Sequence, residues 1–201
     1  MDPKFLLMYC PQVFDKSFGS IKPEGSLGLI YLASALRDNK FDVHLLDATV
    51  GNNEYTLDET FFNEVEQENG MIRIGMSIQS IIKEVKEYDV IGITSIFTAQ
   101  TRMVESVIDN IKKHYPEKLI ILGGVNARAQ KERFFYIGAD LICLSEAENT
   151  IIEIGNVLRS GGRDFSGING LAGKEGFINP QLNVLQDLDK LPTPAWDMFP
   201  L

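Results

Sequence analysis

The sequence predicts an α/β fold of the Rossmann-like, flavodoxin-like kind: a five-stranded parallel sheet with helices on both faces, then a C-terminal hairpin and linker. Three observations carry this reading. Short, continuous apolar runs recur along the chain, as strands covered on both faces require. Between them, apolar residues fall three and four apart, the helical period. The two patterns alternate, and right-handed crossovers turn such alternation into a parallel sheet.

Phe5-Leu6-Leu7-Met8-Tyr9 is the first strand, and Leu29, Leu32, Ala33 and Leu36 mark the helix after it. Val43 to Leu46, closed by Asp47, is the second strand. Residues 50–70 then interrupt the alternation with six acids and no base. A capping-box pattern, Thr56-x-x-Glu59, with Leu57, Phe61 and Val65 four apart, predicts an extra acidic helix over 56–68. Its acids are either a solvated face or a binding surface. A regular helix follows Ser77, with Ile78, Ile81, Ile82 and Val85 on one side. Val90 to Ile93 is the third strand and opens into Thr94-Ser95-Ile96-Phe97; the next helix carries Val104, Val107, Ile108 and Ile111. Leu119 to Leu122 is the fourth strand and ends at Gly123-Gly124. A short helix through Phe134 and Phe135 leads to the fifth, Ala139 to Leu144, and Ile151, Ile154 and Leu158 mark the last helix.

We divide the chain at residue 160. Residues 1–160 form the sheet domain. In 161–201, segments 167–171 and 174–178 read as a hairpin with a glycine turn. Pro192, Pro194 and Pro200 then fall within nine residues, the composition of a linker that docks elsewhere.

Composition bounds the function. The 201 residues are 44% hydrophobic and 23% charged, an ordinary globular balance. With 28 acids against 19 bases the net charge is −9, which disfavours nucleic acid or anionic lipid as partner. No apolar run has the roughly 18 residues of a membrane helix, and the N-terminus lacks a signal peptide's basic start, so a cytoplasmic location is expected. Two cysteines, Cys10 and Cys143, are too few to hold an iron–sulfur cluster.

Open α/β sheets bind ligands beyond the carboxyl ends of their strands, at the switch in strand order. That selects loops 10–28, 94–101, 123–130 and 145–148. The first offers Gly25-Ser26-Leu27-Gly28 rather than a dinucleotide-binding G-x-G-x-x-G, and the Gly-Lys-Ser/Thr end of a phosphate-binding loop is missing. A phosphoacceptor domain would need acids where this chain has Cys10-Pro11 and Thr94-Ser95. What remains is small and uncharged: Thr94-Ser95-Ile96 at one strand end and Gly123-Gly124 at the next, where a flat organic group could approach the backbone. Seventeen glycines predict roughly 1.4 adjacent pairs by chance and two occur, so the pair draws its weight from its position.

Five motifs in order resemble the N-terminal cobalamin-binding domain of B12-dependent radical SAM proteins. They are Pro23-Glu24-Gly25-Ser26-Leu27-Gly28-Leu29-Ile30-Tyr31-Leu32-Ala33, Ile91-Gly92-Ile93-Thr94-Ser95-Ile96-Phe97-Thr98, Leu122-Gly123-Gly124, Ser145-Glu146-Ala147-Glu148, and the tail Leu188-Asp189-x-Leu191-Pro192-x-Pro194-Ala195-Trp196-Asp197. The resemblance implies that cobalamin binds with its dimethylbenzimidazole tail off cobalt and inserted in the domain. Thr94 would hydrogen-bond that tail, with Ser95, Ile96, Phe97 and Thr98 continuing the motif. Gly123 and Gly124 would leave room for its ring, with Val125 and Asn126 beside them. Gly25, Leu27 and Gly28 would line the helix start, and Ser145 and Glu146 stand where the family commonly has Gly-Glu-Gly-Glu. Gln12 and Asn126, at the same mouth, either bond corrin amides or are solvated.

The classical cobalamin signature Asp-x-His-x-x-Gly, which radical SAM relatives commonly lack, would place a cobalt-ligating histidine after strand one. Asp15-Lys16-Ser17-Phe18-Gly19 has the acid and a glycine without the histidine, and the only histidines, His44 and His114, read as structural. A histidine-free, base-off mode is therefore implied. By resemblance the complete protein would add a radical SAM domain with a 4Fe-4S cluster on Cys-x-x-x-Cys-x-x-Cys and S-adenosylmethionine, neither expected here, so these residues alone would be non-catalytic. The competing reading is a flavodoxin-like interaction module with a vestigial site, favoured by Ser145 and Ala147 at glycine positions.

Overall fold

The computed structural model describes residues 2–18, 25–68, 70–183 and 187–199. Pro23, Glu24, Gly19 and Pro200, which belong to the patterns above, lie outside them. Ten strands are described: β1 (Lys4–Tyr9), β2 (Gln12–Asp15), β3 (Asp42–Asp47), β4 (Val65–Glu66), β5 (Met71–Ile74), β6 (Val90–Thr94), β7 (Leu119–Gly123), β8 (Leu141–Cys143), β9 (Leu171–Gly173) and β10 (Ile178–Asn179). The α-helices are α1 (Leu27–Asp38), α2 (Ile78–Glu84), α3 (Thr101–His114), α4 (Val125–Ala129), α5 (Lys131–Ile137) and α6 (Glu148–Arg159).

The main sheet has the order β10-β9-β8-β7-β6-β1-β3. Strands β3, β1, β6, β7 and β8 are parallel, as expected, with Phe5 level with both Val43 and Val90. The chain steps from β1 to β3 on one side and then crosses to β6 on the other. The switch in strand order therefore lies between β1 and β6. The count of five strands is corrected to seven: the hairpin of β9 and β10 joins the sheet antiparallel, Leu141 level with Gly173. Its strands are only three and two residues long, too short for a periodic signal.

Alternation along the strands divides the core in two. Phe5, Leu7, Val90 and Ile121 face α1 and α6, where they meet Leu29, Ile30, Leu36, Ile151 and Ile154. Leu6, Met8, Ile91, Ile93 and Ile120 face the other way and meet Ile81 of α2, Val104, Val107 and Ile108 of α3 and Phe134 of α5.

Two expectations need correction. Residues 57–62 form turns rather than an acidic helix, and 65–66 are strand. Glu59 does reach back to the Thr56 N–H (2.9 Å), but the Thr56 hydroxyl donates to that same carboxylate (2.9 Å) instead of capping a helix. Leu57 and Phe62 stay 48% and 64% exposed, so no apolar face is buried to sustain a helix. The chain pairs instead in a small antiparallel sheet, β2-β5-β4. The tail, expected to dock elsewhere, packs on this domain. Ala195 is fully buried and its N–H donates to the Ile30 carbonyl (3.3 Å); Arg37 bonds Asp197 (2.6 Å). The Phe199 ring covers Gly25 (φ +54°), where an added Cβ would come within 1.9 Å of Phe Cζ.

A candidate cofactor slot beneath the strand ends

A cleft of about 400 Å³ opens at the carboxyl ends of β1, β6, β7 and β8 and runs down between the sheet and helices α1 and α6. It lies at the switch point, where open α/β sheets bind ligands. Its floor is built in two levels. Leu7, Gly92 and Ile121 are level in the ladder, and two residues further on Thr94 is level with Gly123. At about 3.3 Å per residue the slot is therefore roughly 6–7 Å deep between the two levels. A larger open groove, about 1020 Å³, lies between the 50–62 segment and residues 197–199, on the β3 side.

Nine of the expected residues line the slot: Gly25, Leu27, Gly28, Thr94, Ile96, Gly123, Gly124, Ser145 and Glu146. The period of the strand separates Thr94 from its neighbour. Thr94 shares the slot face with Gly92, and no described residue bonds its hydroxyl. Ser95 points to the opposite face and is buried, its Oγ accepting from Asn126 Nδ2 (2.8 Å).

The two adjacent glycines also differ. An added Cβ at Gly123 would meet nothing within 4 Å, so open space lies before it. Gly124 has φ +99°, and a Cβ there would stand 2.5 Å from the Ser95 carbonyl oxygen. That carbonyl also accepts the N–H groups of Asn126 and Ala127, both at 3.2 Å. Gly124 is thus demanded by the turn into α4, whatever the ligand.

The remaining expected residues lie elsewhere. Asn126 was expected at the mouth but is buried, donating to Ser95 and to Thr101 Oγ1 (3.0 Å) while accepting from Gln130 (2.7 Å). Gln12 is buried in β2 and donates to Tyr9 OH (3.2 Å). Neither is solvated: Gln12 in β2 and Asn126 in α4 turn inward onto polar partners, an orientation that sequence position does not reveal. Phe97, Thr98 and Val125 are exposed but do not line the slot, whereas the exposed Leu27 and Ile96 do. The slot also has walls that lie outside the motifs, Leu7, Ile121, Cys143 and Ile151, and two, Leu32 and Gly92, that stand within the motifs without having been named as site residues. One signal was present in the sequence. A glycine inside a central strand weakens it and marks a close approach.

Burial holds both thiols protonated. Cys10 is pushed up to about 12 by desolvation, with the Asp47 charge adding; Cys143 also rises to about 12, from desolvation and then Glu148. His44 pairs with Asp42 (3.2 Å) and His114 bonds the Asn110 carbonyl (2.8 Å); neither lines the slot. Among the described residues no group of three or more His, Cys, Asp or Glu could hold a metal ion, and no helix is long and apolar enough to cross a membrane.

A mostly parallel sheet with a glycine-lined slot at its switch point defines a Rossmann-like domain. The B12 binding domain family matches residues 23–155, two thirds of the sequence, and the chain belongs to that family. The cytidylyl-2-hydroxyethylphosphonate methyltransferase of Streptomyces wedmorensis is 27% identical over 202 residues, which cover 86% of this chain and 36% of that enzyme. The radical S-adenosylmethionine methyltransferase TsrM of Kitasatospora setae shares the fold: the TM-score is 0.62 at 18% identity, covering 89% of this chain and 30% of TsrM. The chain spans about a third of the length of each of these relatives.

Proposed function

We propose that the chain binds cobalamin base-off and without a protein histidine, with the dimethylbenzimidazole tail in the slot, as the cofactor-binding domain of a radical SAM methyltransferase. The observation that carries this reading is the open space before Gly123, beside a Thr94 hydroxyl that no described residue bonds, in a cleft that fits a small aromatic group. The exposed Leu27 and Ile96 of the slot, with exposed Phe97 and Val125 next in sequence to Ile96 and Gly124, offer apolar surface to one face of a corrin ring. No histidine stands in the slot wall.

In this reading Thr94 donates to or accepts from the tail, Gly92 and Gly123 admit its ring, and Leu7, Ile121 and Ile151 exclude water from it. Ser145 and Glu146 stand at the mouth beside the nucleotide loop. When bound, cobalamin would supply a cobalt centre that carries a methyl group. The radical SAM domain, with its 4Fe-4S cluster and S-adenosylmethionine, would belong to the same protein outside these residues, and the substrate would be read there.

Titration with hydroxocobalamin followed by visible spectroscopy tests the proposal. A saturable shift to a base-off spectrum, unchanged when His44 and His114 are both replaced, is the expected result. Nitrogen superhyperfine splitting from a protein imidazole in the EPR of the Co(II) form would overturn it. Absence of any spectral change would favour the interaction module, the reading to which Ser145 and Ala147 lean.

A further inference from the structure

The chemistry of the slot wall changes with depth. Its polar groups, the hydroxyls of Thr94, Ser26 and Ser145 and the carboxylates of Glu146 and Glu148, stand at strand ends or helix starts, around the mouth. One level down the wall is Leu7, Gly92 and Ile121 from the sheet, with Leu32 a turn into α1 and Ile151 a turn into α6. The backbone there offers nothing either, since β1, β6 and β7 are interior strands whose ladder bonds are made on both sides. Among the described residues at this depth the Cys143 thiol alone has any hydrogen-bonding capacity, and a thiol is a weak donor and acceptor.

We infer that this slot selects among cobamides by the polarity of their lower base: it takes an apolar benzimidazole and rejects a purine such as adenine. The inference rests on the proposal that the tail enters the slot. A dimethylbenzimidazole directs its two methyl groups and carbocyclic ring into the deep wall and keeps its polar nitrogen toward Thr94. Adenine has the same bicyclic outline but carries an exocyclic amine and ring nitrogens on the six-membered ring. Seated in the same way, those groups leave water and meet Leu7, Ile121 and Ile151. Buried polar groups without partners weaken binding far more than a change of shape does.

Competition between cofactor forms for the 201-residue chain tests this, using hydroxocobalamin, adeninylcobamide and cobinamide, which lacks the nucleotide tail. We expect adeninylcobamide to bind at least about tenfold more weakly than cobalamin, or ~1.4 kcal/mol, and cobinamide also to bind more weakly than cobalamin. Benzimidazole is the more basic ligand and holds cobalt more firmly in the free cofactor. The cost of freeing the base therefore works against the expected preference and cannot create it. Equal affinity for cobalamin and adeninylcobamide, with cobinamide weaker, would overturn the selectivity and leave the tail in the slot. Equal affinity for all three would overturn the placement of the tail itself.

Discussion

Where the parallel strands stop, the two faces of the sheet are finished in opposite ways. On the α2/α3/α5 side, Ser95, Asn126, Thr101 and Gln130 form a closed set of hydrogen bonds that locks the loops after β6 and β7 together. On the α1/α6 side the same two loops offer Thr94, whose hydroxyl no described residue bonds, and Gly123 with open space before it. Neighbours in sequence therefore have different tasks, since successive residues of a strand face opposite sides. The polar network is the frame, and the slot is possible because the frame is finished on the other face. A loop pair held rigidly can leave a gap without collapsing into it.

Four substitutions separate the frame on one face from the slot on the other. Gly124→Leu should have the largest effect. It belongs to the frame, and a side chain at φ +99° against the Ser95 carbonyl should cost about 3 kcal/mol or more of folding stability. Urea unfolding reads this, and a stable variant would show that the turn can rearrange. Gly123→Leu is the complementary case. Stability should stay within about 0.5 kcal/mol, while cobalamin affinity falls by about 50-fold, ~2.3 kcal/mol. Unchanged affinity in that folded variant would place the tail in another groove.

Asn126→Ala removes the hub of the frame and leaves Ser95, Thr101 and Gln130 to find new partners. A loss of about 1–2 kcal/mol in stability is expected, with affinity changed less than by Gly123→Leu. A larger loss of affinity than of stability would move Asn126 from the frame into the site. Thr94→Val should have the smallest effect, about 0.5–1.5 kcal/mol in cobalamin affinity for one neutral hydrogen bond. Isothermal titration beside a thermal melt separates that from any change in folding.

The parallel core was legible because β1, β6, β7 and β8 are nearly wholly buried and appear as apolar runs. Strand β3, at the sheet edge with His44 exposed, kept enough of that pattern in Val43, Leu45 and Leu46. The small sheet was not, because β2, β4 and β5 take their stability from distant partners: Gln12 is level with Ile74, and Val65 with Arg73. Gln100 adds to this, donating to the Val13 carbonyl and accepting its N–H, both at 2.9 Å, a tie that no local pattern announces. The Thr56/Glu59 signal was real at the level of one hydrogen bond and misleading at the level of a helix. In the site, residues at strand ends were found because topology directs ligands there. Leu7, Ile121 and Cys143 were missed because strand interiors are ordinarily core. Gln12 and Asn126 were misplaced because only tertiary structure decides whether an amide turns inward.

The seating of Phe199 on Gly25 has a mechanical consequence. Gly25 stands just ahead of α1, the helix that walls the slot, and the ring fills the volume a side chain there would need. Ala195 and Asp197 fasten the same short segment further along that helix, at Ile30 and Arg37. Residues 195–199 thus touch α1 and its lead-in at three points, Gly25, Ile30 and Arg37, so displacing this short segment would disturb the helix at more than one place. The helix that walls the slot is thereby braced from outside by the far end of the described chain.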